Sequence, residues 1–183
     1  MKNSSSVILL TCIAFGWGLN WPILKIGLEE IPPWIFRSAT YLPAGFILMG
    51  LGLIKKQSLR IERSYWAKLF WGSFFNMVLW GVFVLYGLTQ MTGGRAAILA
   101  FTMPVWASLS DSLLSRKSPS HNIILALLLG TIGILLLWLG DSETKVLSIW
   151  GPLMVILGGA SWGFGTSFIN RCKFPVSILV VKG

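Results

Sequence analysis

Apolar residues fall in six long blocks, and the polar residues are concentrated in short breaks between them. The blocks are Val7–Leu24, Phe36–Ile54, Leu69–Leu88, Ala96–Leu114, Ile123–Gly140 and Ile149–Ile169. Each holds roughly twenty residues, the length a helix needs to cross a hydrocarbon core about 30 Å thick. In lipid, each backbone N–H and C=O has to be satisfied within its own segment, and a helix achieves that. The pattern predicts an all-α, polytopic bundle of six transmembrane helices. The connections are too short for soluble domains, so the spans have to carry the function.

The polar breaks also set an orientation. With the N-terminus inside, the inner segments hold Lys2, Lys55, Lys56, Arg60, Arg63, Lys68, Arg116, Lys117, Arg171, Lys173 and Lys182. The outer segments hold only Lys25, Arg37, Arg95 and Lys145, whereas Glu29, Glu30, Asp141 and Glu143 all fall outside. Basic residues favour cytoplasmic loops. Both termini are therefore expected in the cytoplasm, in a plasma (inner) membrane protein. Lys2 and the apolar run from Val7 resemble a signal peptide, but Trp17, Asn20, Trp21 and Pro22 follow without a small-residue cleavage pattern. The first span is read as retained.

Composition narrows the function. The chain is 55% hydrophobic and 11% charged, a balance suited to lipid. Its net charge of +9 is spread over span ends, where it sets topology and meets anionic headgroups, so membrane lipids and not nucleic acid are the expected partners. Cys12, Cys172 and His121 have no metal-ligand or disulfide spacing, so no metal or cofactor is expected. There is no Ser-His-Asp set, HExxH motif, Walker loop or carboxylate pair, so an enzyme is not expected.

Polar groups inside the spans are the candidates for a pathway, because each needs a partner, a water or a substrate. They are Asn20, Tyr41, Asn76, Tyr86, Thr102 and Ser161, with Asn20 and Asn76 as first choices. Arg37 and Arg95 open their spans at the outer end and would draw anionic or zwitterionic solutes into a vestibule. Lys25 closes span one. Asp111 lies about 24 Å along the helix from Arg95, too far for the two to pair. Trp17, Trp21, Trp80, Trp106 and Trp162 lie deep, as packing residues or as pathway lining. The candidate pathway is Trp17, Asn20, Arg37, Tyr41, Asn76, Tyr86, Arg95 and Thr102. Pro22, Pro43 and Pro104 each remove a backbone donor and mark helix breaks. Gly159-x-x-x-Gly163 and Ala14-x-x-x-Gly18 permit close helix approach.

Span six echoes span one at an offset of 145: Trp17-Gly18 falls on Trp162-Gly163, Ala14 on Gly159, Gly16 on Ser161, Leu19 on Phe164 and Ile23 on Phe168. Five spans separate the two, so the second copy would enter the membrane inverted. Inverted repeats underlie alternating access in many carriers.

Ala14-Phe15-Gly16-Trp17-Gly18-x-Asn20-Trp21-Pro22 resembles the opening helix of the EamA-like branch of the drug/metabolite transporter superfamily. Arg37, the Gly93–Ala97 entry to span four, Pro104 and Ser161-Trp162-Gly163 resemble that family's other marks. The resemblance implies a ten-helix carrier of two inverted five-helix repeats, moving metabolites, amino acids, nucleotide sugars or drugs. Residues 1–145 would be the first repeat and 146–183 the opening helix of a second. Two departures stand out. The spans number six, and Arg116-Lys117 stands near the place of a common Gly-Glu pair. The tail Phe174–Gly183 reads as an abrupt end or an altered frame. The expectation is a secondary carrier or exporter of a small organic solute, truncated and completed by a second copy or a companion chain. The alternatives are a non-transporting fragment and a membrane accessory or scaffold subunit.

Overall fold

The computed structural model describes residues 2–139, 149–172 and 174. Asp141, Glu143, Lys145, Lys173, Lys182 and nearly all of the tail lie outside the described residues, as does the end of the fifth predicted span at Gly140. The described elements are all helical. They are α1 (Lys2–Glu30), α2 (Pro33–Ile54), α3 (Arg63–Thr89), α4 (Gly93–Leu114), α5 (His121–Leu139) and α6 (Trp150–Cys172). Five of them are long and apolar enough to cross a membrane, α5 being the exception. In α5 the apolar stretch that can be judged is the shorter segment His121–Gly133. The chain is an integral membrane protein with an all-α, polytopic bundle.

Local chemistry sets the ends. α1 runs past the predicted boundary at Leu24 to Glu30, because nothing in Lys25–Glu30 breaks a helix. Pro32 and Pro33 then turn the chain, and Pro33 starts α2 with the φ a first helical residue needs. α2 and α4 close alike. Lys56 and Arg116 adopt positive φ (55° and 53°). Lys56 N–H donates to Leu53 O (2.9 Å) and Gln57 N–H to Gly52 O (2.9 Å). Arg116 N–H and Lys117 N–H repeat this to Leu113 O and Ser112 O, both at 3.0 Å. This pairing satisfies the last carbonyls of each helix, at a position where glycine is more usual.

Two helices depart from regular geometry. α3 opens with a 3-10 turn at Arg63–Tyr65 and widens into a π-helical turn at Phe74–Leu79. α4 breaks between Ala100 and Met103. Pro104 follows the break; it has no N–H for the Ala100 carbonyl, and its ring crowds that carbonyl. Pro22 and Pro43 lie inside helices that run without interruption.

α6 is the central element: 39% of its most apolar stretch is buried, against 6% for α2. It packs on α3 and α4 through small residues. A Cβ at Gly163 would stand 2.5 Å from Ala107 N and 2.7 Å from Trp106 C, and one at Gly165 would stand 2.8 Å from Asn76 N. Glycine allows these backbones to meet, and in lipid such close packing holds helices together. Side-chain hydrogen bonds add to it. Ser161 Oγ donates to Phe75 O (2.7 Å) in the π turn, and Ser167 Oγ donates to Ala107 O (2.8 Å). At the far end Arg171 pairs with Asp111 Oδ1 at 2.6 Å and also donates to the Asp111 carbonyl and to Ser115 Oγ. A cation at the last turn of α4 also suits that helix's dipole.

The opposite end, where the α1–α2 and α3–α4 turns lie, holds the tightest core. Trp21, Leu24, Val84, Leu85, Leu88, Met91, Ala96, Leu99, Ala100, Met103 and Val155 form one buried cluster. Lys25 Nζ closes it by donating to Leu88 O (3.1 Å) at the C-terminus of α3. α5 packs on the second half of α4.

Candidate functional site

Residues 16, 17, 20, 21 and 24 recur on one face of α1, by the helical i, i+3, i+4 spacing. That face looks across at α2 and α3. Between them lies a cavity of about 300 Å³ lined by Gly16, Trp17, Asn20, Trp21, Leu24, Arg37, Trp80 and Val84. It reaches from the middle of α1 toward the end that carries the Pro32-Pro33 turn. Its walls are mostly tryptophan and aliphatic, and Asn20 and Arg37 are the amide and the cation among the lining residues.

Arg37 sits one turn into α2. Its guanidinium lies over the Tyr41 ring, 4.5 Å from the centroid. A cation over an aromatic face is attracted by the ring quadrupole. Gly81 of α3 makes the room: a Cβ there would stand 3.1 Å from Arg37 Nε and 3.5 Å from Tyr41 Oη. Among the described residues the guanidinium makes one hydrogen bond, Nη2 to Gly81 O, long at 3.5 Å. Arg37 Nε and Trp21 Nε1 are buried donors without an acceptor among the described residues. Trp21 is only 3% exposed. Its backbone is fixed by close approach of α4, since a Cβ at Gly93 would stand 3.2 Å from Trp21 O.

The structure thus gathers Trp17, Asn20 and Arg37 at the cavity, with Tyr41 behind Arg37. It puts the other candidates elsewhere. Asn76 Nδ2 donates to Trp162 O (3.2 Å) and Thr166 Oγ1 (2.7 Å), tying α3 to α6. Thr102 Oγ1 donates to Leu99 O (2.6 Å) and accepts from Trp106 Nε1 (3.1 Å), bridging the break in α4. Tyr86 packs edge-on against Trp34. Arg95 is half-buried in the first turn of α4. Sequence reasoning passed over Leu24, Val84 and Gly81, and left Trp21 and Trp80 open between packing and lining. The helical spacing from Trp17 and Asn20 points to Trp21 and Leu24. Nothing local points to Gly81, which matters only because Arg37, 44 residues away, lies against it.

A model of the EamA-like transporter family matches residues 4–139. Among curated proteins, an uncharacterized transporter of Bacillus subtilis, YvbV, is 24% identical over 177 residues, 93% of this chain and 55% of that protein. The uncharacterized inner membrane transporter YedA of Escherichia coli K12 is 24% identical over 163 residues, 89% of this chain and 52% of that protein. A probable amino-acid metabolite efflux pump of Salmonella typhimurium is 24% identical over 158 residues, 85% of this chain and 50% of that protein. The chain spans about half the length of the curated relatives it matches. No solved structure matches it.

Proposed function

The chain belongs to the EamA-like transporter family, and on that premise we propose that it serves a secondary carrier of small organic solutes working by alternating access. The observation that carries the reading is the cavity between α1, α2 and α3, which combines aromatic walls with a half-buried cation. Carriers bind solute near the bilayer midplane at the interface between repeats and expose it by rocking one repeat against the other. Here α1 to α5 form the first repeat and α6 opens the second.

The packing of α1 and α6 supports the repeat assignment. The small-residue face of α6, with Gly159, Ser161, Gly163 and Gly165, is buried on α3 and α4. The corresponding positions Ala14 and Gly18 of α1 are exposed, and no atom lies within 4 Å of a Cβ built at Gly18. A face built like α6's and left open on α1 suits docking on the third and fourth helices of a second repeat, from a second copy or a companion chain.

The test is solute exchange in vesicles. Reconstituted chain, alone and co-expressed with its own second copy, is expected to exchange at least one labelled amino acid or organic acid. Arg37→Gln should lower that exchange about tenfold or more, the loss expected when one charged hydrogen-bonding group is removed from a buried site. Exchange by no oligomeric form would leave a non-transporting fragment or an accessory subunit. The proposed orientation has its own check. In a background without Cys12 and Cys172, Ser58→Cys should react with an impermeant maleimide only after the cells are opened. Thr92→Cys should react in intact cells. The reverse pattern would invert the bundle.

A further inference from the structure

The unpaired cation of the cavity says more than that a solute fits. Arg37 lines the same space, stacked on Tyr41, and pairs with no carboxylate among the described residues. Asn20, one helical turn from Trp17 and Leu24, adds an amide to the same lining. A guanidinium carries five donors and no acceptor. A cation with one long hydrogen bond and no carboxylate beside it, lining a cavity, favours an acceptor that is anionic. The indoles of Trp17 and Trp80 leave the remaining wall apolar.

We propose that this cavity takes the oxyanion end, carboxylate or phosphate, of a small amphipathic solute. Arg37 supplies the charge and its hydrogen bonds, the Asn20 amide adds polarity, and the tryptophan walls hold the apolar body. The inference deepens the carrier reading and rests on it for its biological sense, but the binding chemistry can be tested separately. A charge-assisted hydrogen bond is about twice as strong as a neutral one, so the anion is distinguished from a neutral molecule of the same shape.

The purified chain in detergent is titrated with phenylacetate, with its neutral isostere phenylacetamide and with phenylphosphonate, read by calorimetry and by tryptophan fluorescence. Both anions are expected to bind about tenfold or more tightly than the amide. Arg37→Gln should abolish the preference for the anions while leaving phenylacetamide nearly unchanged, and Arg37→Lys should keep part of it. Equal affinity for acid and amide, no binding of either, or an anion preference unaltered in Arg37→Gln would overturn the proposal.

A lipid headgroup offers the same oxyanion. In a phosphate-free maltoside detergent, added short-chain phosphatidylcholine separates the sources: competition with phenylacetate assigns the site to the headgroup phosphate, and unchanged phenylacetate binding assigns it to a free solute. Oxyanion binding without exchange in vesicles would sink the carrier reading and leave this site standing. Exchange only of solutes without an oxyanion, untouched by Arg37→Gln, would do the reverse.

Discussion

Gly163→Leu is expected to release α6 from the bundle. A single Cβ at this position would stand 2.5 Å from Ala107 N and 2.7 Å from Trp106 C. These are backbone atoms of α4, so no rotamer change relieves the clash and the helices have to separate. Overpacking a close-packed interior costs about 1–3 kcal/mol and sometimes more. Gly163→Ala should fall at the upper end of that range. Leucine should exceed it and remove the hydrogen bond that Ser167 makes to Ala107 O from the same helix face. Two readouts check this. The thermal midpoint in detergent should drop steeply for Gly163→Leu. A cysteine placed at Ser167, which is 5% exposed in the parent, should react much faster with maleimide. Gly18→Leu is the matched control. It stands at the corresponding position of α1, nothing lies within 4 Å of its Cβ, and both readouts should be unchanged. Equal behaviour of the two variants would remove the basis for treating α6 as docked and the α1 face as open.

That pair of glycines also shows how far the sequence could be read. Helix count, helix type and the resemblance to the EamA-like family follow from local features: block length and a Gly/Trp motif. The family match over residues 4–139 agrees with that resemblance. The sequence also put Gly159 and Gly163 at a helix contact, and both face α4. It could not say that Gly18 faces open space, because identical local patterns have different partners in α1 and α6. The same limit applies to the polar residues. Asn20 and Asn76 looked alike in sequence, as amides in mid-span. Asn20 lines the cavity, whereas Asn76 bonds Trp162 O and Thr166 Oγ1 across a π-helical turn. Asp111 offered no partner by helical spacing, because Arg171 lies 60 residues on. Long-range pairing decides which buried polar groups are satisfied by neighbours and which are left for a ligand.

Gly81→Leu is expected to weaken oxyanion binding nearly as much as Arg37→Gln, although it changes no charge. Gly81 is the surface against which Arg37 lies: a Cβ there would meet Arg37 Nε at 3.1 Å and Tyr41 Oη at 3.5 Å. Alanine asks only a few tenths of an ångström of a flexible side chain, so Gly81→Ala should behave almost as the parent. Leucine fills the space, lifts the guanidinium off the Tyr41 ring and turns it from the cavity. The expected loss for phenylacetate is about tenfold or more, with phenylacetamide little changed. The double variant decides whether this explanation is right. Residues acting through one contact are not additive. In the Arg37→Gln background, Gly81→Leu should therefore cost almost nothing further. A full second loss there would mean that Gly81 shapes the cavity by itself and does not act by positioning Arg37.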